Sequence, residues 1–196
     1  MVSFTDCYDK FEKMELFVFS DLENATTKAH ANFLVAMALF NYIETLGSFC
    51  FPCQEKDIEA KRFNFVFTDL LPKVYEEVFI RIRDAVAKPY ALLRCGMTHG
   101  YLPVTVVAKN NNIEVSYIIR GVRDENEYAD VIQNEQCGIK IHVDEFGKYT
   151  IEILIPRFIH DFKVAFNSLK EKINSDDEFK AKFIIRASDL QLYSLG

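Results

Sequence analysis

Apolar residues recur at helical spacing over the first part of the chain. Between residues 4 and 19 an apolar side chain stands at almost every third or fourth position (Phe4, Cys7, Phe11, Met14, Val18). This spacing predicts a first helix over residues 4–19. Ser20 and Asp21 then offer an N-cap for a second helix that runs to about Leu46. Gly47 suits a left-handed C-cap at its end.

The second predicted helix is apolar on every face from Phe33 to Phe40. A helix of this kind is covered by other elements, so we expect it at the centre of the fold. Glu44 lies in the same helix and needs a polar partner. Two alternatives are open, the side chain of Arg94 and solvent.

Residues 54–103 continue the helical pattern. We expect a short helix and a packed aromatic cluster of Phe63, Phe65 and Phe67. Pro72 favours the start of a helix over residues 73–87, since proline is tolerated in a first turn. A further helical segment follows between the prolines at 89 and 103.

After Pro103 the pattern changes to alternation. Two alternating runs flank the turn signal at 110–112 and predict a β-hairpin, and two more flank the turn at 145–148. Residues 121–137 are polar, which indicates a loop with one helical piece. Pro156 begins a predicted helix to about Asn174. Ser175 and Glu178 resemble a capping box for a last helix over residues 176–187.

The predicted fold class is therefore α+β, an N-terminal helical bundle followed by a four-stranded, mainly antiparallel sheet with C-terminal helices. We divide the chain into a helical part, residues 1–103, and a second part, residues 104–196, with sheet and two helices. One continuous domain is the alternative, because 196 residues suit either organisation.

Charge and composition narrow the function classes. The net charge of −6 divides evenly between the parts before and after Pro103, so neither part is basic. Generic nucleic-acid binding over a broad surface needs clustered Lys and Arg and is disfavoured, whereas a small local RNA site is not. The acidic N-terminus and the short apolar runs predict no export signal and no membrane partner. We expect a cytoplasmic protein.

The five cysteines, an odd number, predict reduced thiols. Cys50 and Cys53 form a Cys-x-x-Cys pair, which with Cys95 and His99 would complete a Cys₃His zinc set. The competing interpretation is that these cysteines are small packing residues. We expect no metal and no cofactor, and we expect His30, His142 and His160 to be solvated or satisfied by ordinary hydrogen bonds.

The segment between Pro89 and Pro103 carries the candidate chemistry. Arg94, His99 and Tyr101 bring a guanidinium, an imidazole and a phenol within eight residues. At 100° per residue Arg94 and His99 would lie about 140° apart around a helix axis, close enough for the long Arg side chain to reach the imidazole. A guanidinium binds phosphate oxygens through a planar fork, and a histidine exchanges protons near neutral pH. Arg81 and Arg83, on the preceding helix, are surface charges or additional phosphate ligands.

This Arg-x4-His-x-Tyr pattern resembles that of the HEPN superfamily, small helical domains that are mostly metal-independent ribonucleases. The resemblance covers residues 20–103 at most. It implies that His99 is a general acid or base toward a ribose 2′-hydroxyl and that Arg94 stabilises the phosphorane charge. It also implies a homodimer that pairs two motifs, RNA or nucleotides as substrate, and an antitoxin-like nucleotidyltransferase partner for which Tyr101 would be the modification site.

The alternative is a non-catalytic dimeric binding or regulatory module, in which Arg94 and His99 are structural. Two observations favour it. Cys95 follows Arg94 where the family usually has a polar residue, and the chain is acidic.

Overall fold

The computed structural model describes residues 3–27, 31–52, 57–86, 88–96, 104–108, 111–122 and 124–189. The helical elements before the sheet are α1 (Phe4–Thr27), α2 (Asn32–Ser48), α3 (Ile58–Phe65), a π-helix π1 (Val66–Leu70), α4 (Val74–Ala85) and a second π-helix π2 (Tyr90–Gly96). The later elements are β1 (Val104–Ala108), β2 (Asn111–Arg120), α5 (Glu125–Asn134), β3 (Ile139–Val143), β4 (Tyr149–Leu154), α6 (Ile155–Ser175) and α7 (Asp177–Asp189). The described chain is mostly helical, and its α+β class is as predicted.

The first helix is longer than predicted, because the expected break at Ser20–Asp21 does not occur. Helix α1 continues to Thr27, and Phe19 and Leu22 remain buried across the predicted break. The Ser20 hydroxyl accepts a hydrogen bond from the Asn24 side chain instead of capping a new helix. Burial of apolar side chains on both sides therefore overrides the local capping signal.

Gly47 is not the predicted left-handed cap. It lies inside α2, and Gly147 is the only described glycine with a positive φ. A Cβ on Gly47 would lie 2.2 Å from the carbonyl oxygen of Arg62. The position requires glycine because α2 and α3 approach each other closely there.

Helix α2 occupies the centre of the fold, as its apolar sequence predicts. It packs against α1, α3, α6, both π-helices and β2. Buried side chains from both halves of the chain form one hydrophobic cluster around it. Phe40 on α2, for example, contacts Phe63 on α3 and Phe158 on α6, with ring centroids 6.1 and 5.4 Å apart.

The sheet has the strand order β1–β2–β4–β3. Strands β1 and β2 form the predicted antiparallel hairpin, and β3 and β4 are also antiparallel. The central pair β2–β4 is parallel, with α5 and β3 in the connection between the two strands. Three of the strands, β2, β4 and β3, make the main helix contacts, and β1 extends the edge of the sheet beside β2.

The C-terminal helices lie near the predicted positions. Helix α6 buries Phe158, Phe162 and Phe166 on one face. The capping box predicted from Ser175 and Glu178 is wrong. Asp176 caps α7 instead, its Oδ1 accepting hydrogen bonds from the backbone N–H groups of Glu178 and Phe179, at 2.8 and 3.2 Å. A carboxylate one residue later in the chain reaches these donors better than the Ser175 hydroxyl, which bonds back to the carbonyl of Glu171.

Candidate functional site

Arg94 lies on π2 and forms an ion pair with Glu44 on α2. The Nε of Arg94 is 3.2 Å from Oε2 of Glu44, and the exposed fractions of the two side chains are 21% and 22%. The hydroxyl of Tyr90 donates to the same oxygen at 3.5 Å. Of the two partners considered for Glu44, the structure selects Arg94.

Tyr90 and Arg94, four residues apart on the π-helix π2, reach the same carboxylate oxygen. A π-helix forms i→i+5 hydrogen bonds and turns more widely than an α-helix. The expected 100° per residue is therefore wrong for Tyr90–Gly96, the described part of the motif. Short π-helical turns occur frequently at functional sites, so the winding favours a functional role for this segment.

Several contacts besides the ion pair hold π2 in place. Leu92 and Leu93 are buried in the core. The Tyr117 hydroxyl on β2 donates to the backbone carbonyl of Leu92 at 2.8 Å. The Tyr90 ring packs edge-on against Phe63, with centroids 5.5 Å apart. The segment is thus anchored to α2, α3 and β2 at once.

Burial sets the electrostatics beside Arg94. Desolvation, followed by the charge of Glu44, raises the pKa of Tyr90 to about 12. Burial also raises the pKa of Tyr117. Both phenols are therefore neutral hydrogen-bond donors near pH 7, and neither is prepared to act as a base.

The structure places the other predicted site residues apart from this cluster or leaves them outside the described residues. His99 and Tyr101 fall in the undescribed segment 97–103, so their predicted roles stay predictions. Arg81 and Arg83 are exposed on α4, where Arg83 pairs with the adjacent Asp84 at 2.8 Å. Helix α4 packs mainly on π1 and β3, whereas π2 packs mainly on α2 and α3.

The structure describes only two of the four residues of the predicted Cys₃His zinc set, since Cys53 and His99 lie outside the described residues. Cys50 is buried, and desolvation raises its pKa to about 12. Cys95 is half-buried on π2. Among described residues, no group of three or more His, Cys, Asp or Glu side chains is arranged to hold a metal ion.

Sequence reasoning missed a second polar cluster, on the sheet. Glu152 on β4 lies 3.0 Å from Nε of Arg120 on β2 and 2.7 Å from Nε2 of His142 on β3. The signal was present, because strand alternation puts all three side chains on the face opposite the core. What the sequence lacked was the parallel pairing of β2 with β4, which makes Arg120 and Glu152 neighbours.

No protein-family model, no curated protein and no solved structure shows significant similarity to this chain. In the part of the chain that the structure describes, no helix has the length and apolar character needed to cross a membrane. The function must therefore be inferred from the two polar clusters themselves.

Proposed function

We propose that this protein is a non-catalytic binding or regulatory module in which Arg94 is a structural residue. The observation that carries the proposal is the Arg94–Glu44 ion pair, which is about four-fifths buried. An arginine that stabilises a phosphorane must direct its positive charge at the reacting phosphate. Glu44 instead neutralises that charge in the absence of substrate.

The anchoring of π2 supports the same conclusion. Arg94 shares its carboxylate partner with Tyr90. The residues between them are held by the burial of Leu92 and Leu93 and by the hydrogen bond from Tyr117 to the Leu92 carbonyl. An ion pair of this kind fixes the orientation of a segment, and removal of one partner leaves a partly buried charge without compensation. Holding π2 against α2 is therefore enough to explain an arginine at position 94, without a catalytic role.

A metal-independent ribonuclease of the HEPN type, with Arg94 and His99 as its catalytic pair, is the second candidate. The π-helical winding at Arg94 favours it, because such turns are frequent at functional sites. On this proposal Glu44 holds the guanidinium until RNA displaces it. An antitoxin-like partner and modification of Tyr101 belong to this candidate alone.

An RNA-cleavage assay in EDTA, combined with denaturation, separates the two candidates. We expect no cleavage of varied single-stranded RNAs by the wild-type protein. We expect Arg94→Ala to lower the free energy of unfolding by about 1–3 kcal/mol, since it leaves Glu44 without its cation. Arg83→Ala is the matched control on an exposed arginine, with an expected change within about 0.5 kcal/mol.

The opposite result would establish the ribonuclease. It consists of cleavage by the wild-type protein that His99→Ala abolishes without a change in stability. Loss of cleavage in Arg94→Lys would add to it, because an ammonium cannot reproduce the bidentate fork of a guanidinium.

A further inference from the structure

Among the described residues, one face of the sheet carries no helix layer, and its polar side chains form ion pairs across the strands. The face opposite the core carries Ser116, Ile118 and Arg120 from β2, Thr150 and Glu152 from β4, and Lys140 and His142 from β3. Most of these side chains are exposed or half-exposed. Glu152 differs, because only 9% of its side chain is accessible to solvent.

The pairing of Glu152 is not the one its register would favour. Lys140 lies directly opposite Glu152 in the antiparallel pair β3–β4, where a simple cross-strand ion pair would form. Lys140 instead contacts Glu135 at 2.6 Å. Glu152 binds the diagonal neighbours, with Oε1 toward Arg120 and Oε2 toward His142. One buried carboxylate thus orients a guanidinium and an imidazole on an open surface.

The outward groups of these two side chains suit an oxyanion. Arg120 uses Nε for Glu152 and is 66% exposed, and His142 uses Nε2 and is 53% exposed. Within the described residues neither makes a further polar contact, which leaves the terminal amino groups of Arg120 and Nδ1 of His142 for a ligand. A carboxylate accepts from Nε2–H, so Nδ1 donates when the imidazole is protonated.

We propose that Arg120 and His142, oriented by Glu152, form a binding site for a phosphate group on the open face of the sheet. The guanidinium supplies a planar pair of donors, the geometry that phosphate oxygens accept. Glu152 balances the charge of Arg120, and Glu135 balances that of Lys140. Glu152 is a positioning residue, because it acts through the two side chains that touch the ligand. The site is independent of the role of Arg94.

The test is an NMR titration of the 196-residue chain with inorganic phosphate, followed through the backbone amides of Ile118, Arg120 and His142. We expect saturable shifts with a dissociation constant on the order of a millimolar. Arg120→Gln should weaken binding at least about tenfold, equivalent to about 1.4 kcal/mol. Lys140→Gln, the control on the same face, should leave the affinity within about twofold, since its charge is already paired. The exposure of Arg120 predicts that its variant folds, which the same spectra verify.

Two further arms identify the ligand and the role of His142. Sulfate should bind more weakly to His142→Gln than to the wild-type protein at the same pH, because the variant lacks the imidazole that contacts the anion. A nucleoside monophosphate that binds more tightly than inorganic phosphate, with the same loss in Arg120→Gln, would identify a nucleotide as the source of the phosphate. Equal affinity would indicate free phosphate.

Three outcomes would overturn the site. One is the absence of saturable shifts in the wild-type protein at tens of millimolar phosphate. Another is an equal loss in Arg120→Gln and Lys140→Gln, which would indicate non-specific attraction to a cationic face. The third is unchanged affinity in Arg120→Gln.

Discussion

The hydroxyl of Tyr75 on α4 donates a hydrogen bond to Oδ2 of Asp161 on α6, at 2.8 Å, between two fully buried side chains. The same hydroxyl accepts from the backbone N–H of Gly138, also at 2.8 Å. Arg157 donates from Nε to Oδ2 at 3.0 Å and from Nη1 to the carbonyl of Ile132. Its Nη2 lies 3.0 Å from Oδ1, an ion-pair contact without hydrogen-bond geometry. One network thus joins α4, α5, α6 and the loop before β3.

Tyr75→Phe is expected to lower the free energy of unfolding by about 1–3 kcal/mol. The change preserves the ring but leaves the buried N–H of Gly138 without an acceptor and removes one donor from Asp161. Urea denaturation measures the effect. Tyr42→Phe, which removes a longer and exposed bond to Asp21, is the control and should change stability by less than about 0.5 kcal/mol. Equal effects for the two variants would show that the buried network adds nothing.

The Arg94–Glu44 pair should show energetic coupling in a double-mutant cycle. We expect an interaction energy of about 0.5–3 kcal/mol between Arg94→Ala and Glu44→Ala, because the two side chains touch in a partly buried setting. The matched cycle on exposed Arg83 and Asp84 should give less than about 0.5 kcal/mol. Additive effects at Arg94 and Glu44 would contradict the structural role proposed for Arg94.

Gly47→Ala should destabilise the protein, although alanine is the better helix former by about 1 kcal/mol. The added methyl would lie 2.2 Å from the Arg62 carbonyl oxygen, so α2 and α3 must separate. A loss of about 1–3 kcal/mol or more is expected, as for other overpacked sites. Gly147→Ala tests a different cause. Its Cβ meets no atom within 4 Å, and its φ of +76° predicts a loss of about 1–2 kcal/mol from backbone strain alone. A neutral Gly47→Ala would mean that the close approach is relieved at no cost.

Stability should fall as the solution becomes alkaline. Burial raises the pKa of Cys50 from 9.0 to about 12 and that of Cys137 from 9.0 to about 11. In the unfolded chain these thiols ionise near pH 9, whereas in the folded chain they stay protonated. Their contribution to stability is therefore complete below pH 9 and is lost as pH rises toward the folded-state values.

Melting temperatures between about pH 8 and about pH 10.5 test this linkage, and Cys50→Ala should reduce the slope over that range. Thiol labelling of the native protein at neutral pH provides an independent check. Cys50 and Cys137 should stay unmodified while Cys95, which is half-buried, reacts. A pH-independent melting temperature, or rapid labelling of Cys50, would contradict the prediction.

Both functional candidates include a homodimer, and the ribonuclease candidate places the Arg94 segment at its contact. Sedimentation at tens of micromolar should give a mass of about twice 22.7 kDa. Charge reversal at Arg83, away from π2, should leave the dimer intact, whereas Ala91→Arg, an exposed position on π2, should weaken it. A monomer for the wild-type protein would remove the dimer from both candidates.

Local patterns determined much of this protein from sequence alone. The apolar run from Phe33 to Phe40 predicted the central helix, alternation predicted the strands, and Pro156 predicted the start of α6. These inferences succeeded because each depends on residues a few positions apart, whose side chains must share a buried face. The same reasoning placed Arg94 among the partners of Glu44 but could not choose between it and solvent.

The tertiary structure decided the features that join distant residues. The π-helical winding at Arg94, the close approach at Gly47 and the parallel pairing of β2 with β4 all depend on what packs against each segment. Burial on both sides of Ser20 overrode its capping signal for the same reason. At Ser175 the competitor is local, because the carboxylate of the adjacent Asp176 caps α7 instead. Periodicity reports the environment of one segment, whereas long-range contacts depend on how segments are arranged in space.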